Sequence, residues 1–123
     1  FGENYLQEAA GKIPLLTSST TWHFIGHLQS NKARLAVELF DVIQTVDRWK
    51  LAKALDTHSK KLNKKLPVLI QVNTGREKQK SGVPSEMAEV LLRQIAQETD
   101  LDVRGLMTIP PFFSDPEKSR PYF

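Results

Sequence analysis

Trp22-His23-Phe24-Ile25-Gly26-His27-Leu28-Gln29-Ser30-Asn31-Lys32 reads as a short apolar strand that stops abruptly at a polar edge. Two imidazoles, an amide pair and an ammonium group crowd that edge. A strand built only for packing has no need of so many functional groups at its C-terminal end. Working outward, four similar apolar segments alternate with helical patterns: Phe1–Tyr5, Asp41–Val46, Pro67–Asn73 and Leu101–Ile109. All five are short, nearly continuous in apolarity and rich in β-branched or aromatic residues, as strands buried on both faces are.

The intervening stretches carry helical spacing. Asp47 is placed to cap a helix whose apolar face is Leu51, Ala54, Leu55 and Leu62. Pro84 suits the first turn of another helix running toward Thr99, with Met87, Ala88, Val90, Leu91 and Ile95 on its apolar face. Asn31–Phe40 gives a shorter helix with Leu35, Leu39 and Phe40 turned inward. No Asn-Gly or Asp-Gly hairpin joins adjacent strands. Regular strand–helix alternation therefore predicts right-handed parallel crossovers. The fold class is α/β, either an open doubly wound sheet or a (β/α) barrel. A full barrel takes roughly 250 residues, so 123 residues suit about five of its eight βα units. No Gly-x-Gly-x-x-Gly follows a strand, which weakens the dinucleotide-binding open sheet. Residues 1–123 read as one domain, and both ends look cut: the chain opens on Phe1 inside an element and closes on Pro121-Tyr122-Phe123.

Composition narrows the function classes. The net charge of +3, from 17 basic and 14 acidic residues, is too mild to argue for nucleic acid. The densest basic cluster, Lys60, Lys61, Lys64 and Lys65, reads as a solvated helix end rather than a phosphate contact. With no cysteine, there is neither a disulfide framework nor a thiolate metal site. No apolar run approaches membrane-spanning length, and no signal-peptide pattern is present.

In a parallel α/β fold, chemistry collects at the C-terminal strand ends. Those ends hold Glu3 and Asn4, His23 to Gln29, Asp47 and Arg48, Gln71 and Asn73, and Met107 and Thr108. Paired carboxylates are missing, so two-carboxylate hydrolysis has no support. Ser30 lies near His27 but lacks the Gly-x-Ser-x-Gly setting of a serine nucleophile. His23 and His27 are four apart; on a strand that is roughly 13 Å, at about 3.3 Å per residue, too far for one metal unless the chain turns at Gly26. His23 reads two ways, as a hydrogen-bonded interior histidine or as a ring contact to a ligand. Gly75-Arg76-Glu77-Lys78-Gln79-Lys80-Ser81-Gly82 imitates a phosphate loop, but Gln79 stands where that loop needs glycine. It reads as a solvated βα loop, or as an anion-attracting rim formed by Arg76, Lys78 and Lys80. Asn4 and Asn73 also suit turn caps, Met107 suits core, and Pro110-Pro111 stiffens the exit from the last strand.

Taken in order, Phe1-Gly2-Glu3-Asn4-Tyr5-Leu6-Gln7-Glu8, the Trp22–Lys32 segment, Val46-Asp47-Arg48, Gln71-Val72-Asn73 with Glu77, Lys80 and Gly82, Gly105-Leu106-Met107-Thr108-Ile109-Pro110-Pro111 and Arg120-Pro121-Tyr122-Phe123 resemble the pyridoxal phosphate homeostasis proteins. The likeness spans essentially the whole chain. It implies a partial (β/α)8 TIM barrel of the alanine racemase N-terminal type. It implies a cytoplasmic protein that binds pyridoxal 5′-phosphate (PLP) and balances vitamin B6 and amino-acid pools without robust catalysis. PLP-dependent apo-enzymes are the implied partners, with no nucleic acid and no membrane. Asn4, His23 and Met107 would line the cofactor's side of the pocket. The family's Schiff-base lysine precedes the Phe-Gly-Glu-Asn motif, and its phosphate cradle follows the Arg-x-Tyr-Phe segment. Neither falls within this sequence, so the chain by itself should bind PLP weakly or not at all. Lys32 and Lys80 fall in loops or at helix starts and do not take the lysine's place. Open barrel edges should favour self-association. Two alternatives stand beside this reading: the barrel of a PLP-dependent racemase or decarboxylase, and a non-PLP barrel that binds a phosphorylated metabolite.

Overall fold

The computed structural model describes residues 1–16 and 19–123. Its elements run β1 (Gly2–Glu3), α1 (Leu6–Lys12), β2 (His23–Phe24), α2 (Ala33–Leu39), β3 (Val42–Val46), α3 (Trp49–Lys61), β4 (Pro67–Asn73), β5 (Val83–Pro84), α4 (Ala88–Glu98) and β6 (Asp102–Met107). Every strand pairing is parallel. The sheet runs β1-β2-β3-β4, β6 continues it from β4, and the short β5 pairs with the C-terminal tip of β4. All five expected strands form, two of them shortened to dipeptides. This is the parallel α/β sheet that the apolar runs predict.

The core lies between one sheet face and the helices. Phe24, Ile43, Val68 and Ile70 from the strands meet Ala9, Ala36, Val37, Leu51, Leu55 and Ile95 from the helices. Phe24 and Phe40 pack edge to face with centroids 5.2 Å apart. Each such large apolar side chain contributes about 1.5–3 kcal/mol on burial.

Several local expectations are corrected. Residues Ser30–Lys32 form a 3₁₀ turn, and α2 proper begins at Ala33. The tighter turn rotates the helix, so Ala33, Ala36 and Val37 are buried and Leu35 is only half-buried. Leu62 is 51% exposed because α3 has already ended. Asn63 takes φ 52°, its N–H donates to Lys60 O and the Lys64 N–H donates to Ser59 O, a Schellman closure. Pro84 lies in β5 rather than in a helix; a 3₁₀ turn at Ser85–Met87 precedes α4. Met87 and Val90 are exposed, leaving Leu91 and Ile95 as the buried face of α4. Asp47 does not cap α3, whose N-cap, Arg48, receives no side-chain bond.

The lysine cluster at the end of α3 divides. Lys60 pairs with Asp56 at 2.9 Å and Asp100 at 3.7 Å. Lys64 is not solvated as expected; its Nζ donates to Val37 O at 2.8 Å and Phe40 O at 2.6 Å, closing the end of α2. The Asp56 hydrogen bond leads in raising Lys60 above its ordinary pKa of 10.5. Burial lowers Lys64 below the same value, with the Asp41 carboxylate acting against it. Lys60 therefore stabilises the fold below pH 10.5, and its contribution is lost as pH rises through its folded pKa. Lys64 has the opposite sign: the unfolded chain binds its proton more tightly, so stability rises with pH between its folded pKa and 10.5. Carbon-13 NMR titration of the lysine Cε atoms should place Lys64 below Lys60. A urea series on Phe40→Ala should show a loss of about 3–5 kcal/mol, the cost of emptying a packed phenylalanine site.

Candidate functional site

The side chains that alternate with the helix-packed ones point to the other sheet face. There His23, Gln44, Leu69 and Gln71 are half-buried or buried. The His23 Nδ1–H donates to Gln44 Oε1 at 2.7 Å, which commits that nitrogen and leaves the ring Nε2 and its π face. A Cβ added to Gly105 would lie 3.8 Å from Leu69 Cδ2, so β6 presents bare backbone to this face. Met107 is half-buried and stands in register with Gln71.

At the C-terminal ends of the strands this face opens into a cavity of about 250 Å³. Asn4, His27, Gln71, Lys80 and Ser81 supply its polar lining, and Ile25 and Ile109 its apolar lining. A neighbouring cavity of about 320 Å³ shares Asn4 and His27 and extends to Gln29 and Lys32. Gln71 is 6% exposed, and its Oε1 has no hydrogen-bond donor among the described residues. Such an atom costs about 1–3 kcal/mol, and a ligand donor would relieve it.

Of the three expected pocket residues, Asn4 lines the mouth cavity directly. Met107 is in register with Gln71, which lines the cavity, and His23, bonded to Gln44, is not part of that lining. Reading strand ends reached Gln71 and His27 but not Ser81, which lies in the loop before β5. Gln71 had a signal, since its position alternates with the apolar Ile70 and Val72. The contact between His27 Nδ1 and Ser81 Oγ, 3.0 Å across 54 residues, had none.

The Gly75–Gly82 segment is more ordered than a plain solvated loop. Asn73 Nδ2 donates to Glu77 O at 2.8 Å, so Asn73 is a turn cap as expected. Lys80 Nζ contacts Glu77 Oε1 at 3.2 Å and Pro110 O at 3.4 Å. Arg76 and Lys78 instead line a separate cavity with Glu86. The three cations therefore do not converge into one anion rim. Asp47, the residue expected to cap α3, binds Arg48 Nη1 through Oδ1 at 2.7 Å and accepts from the Gly82 N–H through Oδ2 at 3.0 Å.

These features define a parallel α/β module with its polar site at the strand ends. The chain matches the family described as alanine racemase, N-terminal domain, over residues 1–123. It belongs to that family. It is 44% identical over 122 residues to the pyridoxal phosphate homeostasis protein of Vibrio alginolyticus, covering 95% of this chain and 52% of that protein. It is 40% identical over 124 residues to that of Aquifex aeolicus, covering 100% and 54%. The chain thus spans about half the length of these relatives. PipY of Synechococcus elongatus, solved without PLP, superimposes with TM-score 0.86 at 37% identity over 99% of this chain and 61% of that one. PipY solved with PLP bound gives 0.83 at the same identity. Alanine racemase of Clostridium difficile shares the fold, with TM-score 0.71 at 13% identity. None of the helices is long and apolar enough to cross a membrane among the described residues.

Gly26 is the tightest backbone approach at this site. A Cβ there would lie 2.0 Å from the Asn4 carbonyl oxygen. Gly26→Ala should therefore push β1 and β2 apart, cost about 1–3 kcal/mol in a urea titration, and disturb the Asn4 side of the mouth first.

Proposed function

We propose that this chain contributes the ring-facing half of a PLP site in a protein that holds and delivers the cofactor rather than turning over a substrate. The observation that carries this reading is the likeness to PipY with PLP bound, 37% identical over 99% of the chain. The relatives named pyridoxal phosphate homeostasis proteins point the same way.

The residues at the mouth and on the sheet face behind it fit one side of such a group. Asn4 offers an amide, His23 a ring fixed in orientation by Gln44, and Met107 a polarisable thioether. The unpaired Oε1 of Gln71 can accept a hydrogen bond from a hydroxyl or protonated nitrogen that enters. The other side is unmatched: none of the described strands carries a lysine. When bound, PLP supplies an aldehyde that an amine can capture. The work of this chain is to orient the flat ring and to exclude water from one face of it. A carrier needs no acid–base pair poised over substrate, and Asn4, Gln71 and Met107 are not such groups. In this reading the protein works in the cytoplasm and passes PLP to apo-enzymes. The edges of β1 and β6, each with one sheet neighbour among the described residues, are the places where a second chain would pair.

The test is a graft. Residues 1–123 replace the matching segment of Synechococcus elongatus PipY, and PLP is titrated by absorbance. The graft should take up one PLP with a borohydride-reducible signal, and adding His23→Ala should shift its spectrum and weaken binding about tenfold, or 1.4 kcal/mol. A folded graft that ignores PLP would sink the reading. The isolated chain should bind PLP weakly, without a stoichiometric reducible linkage.

A further inference from the structure

We infer that Asp47 and Arg48 are positioning residues that tie together the two loops framing the mouth cavity. The tie is drawn from the end of β3, which itself contributes nothing to the cavity lining. Asp47 Oδ1 binds Arg48 Nη1 at 2.7 Å, and Arg48 Nη2 donates to Leu28 O at 2.5 Å. Leu28 lies in the segment between β2 and α2, one residue beyond His27. Asp47 Oδ2 accepts from the Gly82 N–H at 3.0 Å. Gly82 lies between β4 and β5, one residue beyond Ser81. The carboxylate and guanidinium thus grip one backbone point beside each half of the His27–Ser81 contact, itself 3.0 Å long.

Three further observations make this a built device. First, the aspartate just before α3 leaves the helix start without a side-chain cap and holds the loop instead. A capping role would have stabilised the same helix locally, so the loop contact is a distinct use of this residue. Second, the Asp47 side chain is only 10% exposed, which strengthens its charged hydrogen bonds relative to surface pairs. Third, Gly82 sits at φ 121°, and a Cβ there would lie 2.7 Å from Asn73 N. The backbone must come this close to β4 for its N–H to meet Asp47, and only glycine allows it. Loss of the tie would release Ser81 from His27 and widen the rim that a ligand must cross.

The structural part of this inference stands on the geometry alone; its consequence for PLP rests on the function proposed above. The test uses Asp47→Asn, nearly isosteric, on the full 123-residue chain. Amide hydrogen exchange is followed at Gly82, Ser81 and Leu28, and nitrogen-15 shifts at the His27 ring. Exchange at Gly82 should quicken about tenfold, as expected for losing a charged hydrogen bond of 1.4 kcal/mol or more. The His27 shift should lose the signature of its Ser81 bond, while exchange in β4 stays slow. If both loop signals match the unchanged chain, the tie is refuted, even if the melting temperature falls. Should Asp47→Asn fail to fold, Arg48→Met takes its place: it keeps the aliphatic stem but donates to neither Asp47 nor Leu28, and the same readouts decide. In the PipY graft, either substitution should raise the Kd for PLP about tenfold with the His27 signal lost. An unchanged Kd there refutes the positioning role. A graft that binds no PLP at all refutes the function while the loop measurements still decide the tie.

Discussion

Strand β4 is the constraint on which the rest of the structure depends. A parallel sheet must be covered on both faces, and β4 is the strand that pairs with three others among the described residues, β3, β5 and β6. Val68, Ile70 and Val72 pack against helices, which forces Leu69, Gln71 and Asn73 to the other side. That alternation puts a buried amide at the mouth and a turn-forming amide just beyond it. Thr108 Oγ1 donates to Val72 O at 2.7 Å and locks the end of β6 to the same strand. A one-residue slip of β4 would exchange its apolar and polar sets and remove both the core and the cavity. The mouth is thus a direct consequence of how β4 is packed, and its polar residues are placed by the same register that buries the aliphatic ones.

Much of this was legible in the sequence. Pro67–Asn73 matches its expected bounds to the residue, because an uninterrupted apolar run has one way to be buried. Val42–Val46 and Asp102–Met107 were close for the same reason. The edge strands were harder. Trp22–Leu28 shrinks to His23–Phe24 because Gly26 closes on Asn4, a contact between residues far apart in sequence. β5 is two residues long and contains a proline, so no periodicity announces it. Asp47 was read as a helix cap on a sound local rule, and lost that role to a loop 35 residues away.

The site followed the same division. Asn4 and Gln71, which line the cavity, stand at strand ends and could be found by listing those ends. The His23 ring is held by Gln44, a partner 21 residues on. The cluster of His27, Lys80 and Ser81 arises only when two loops meet, and local patterning does not encode which loops do. The likeness to known proteins located the region without ordering its contacts. Lys64 shows the same limit away from the site: a surface lysine by sequence, it is the C-terminal clasp of a neighbouring helix.

Polar contacts rather than apolar ones join the mouth loops for a physical reason. A cavity that admits a charged, hydrated ligand cannot be sealed by hydrophobic side chains without closing it. Its rim must be held by groups that remain satisfied when water or ligand is present. Exposed ion pairs such as Arg93–Glu89 hold little, because water competes for both partners. The Asp47–Arg48 pair escapes that competition by sitting behind the rim, against the end of β3, with each partner also bonded to backbone. Backbone acceptors and donors are fixed by the sheet, so their positions transmit its rigidity outward. Side chains on the rim itself, His27 and Ser81, can then face the cavity without having to hold the loops in place. The stiffness of the buried strands reaches the wet surface through one carboxylate and one guanidinium.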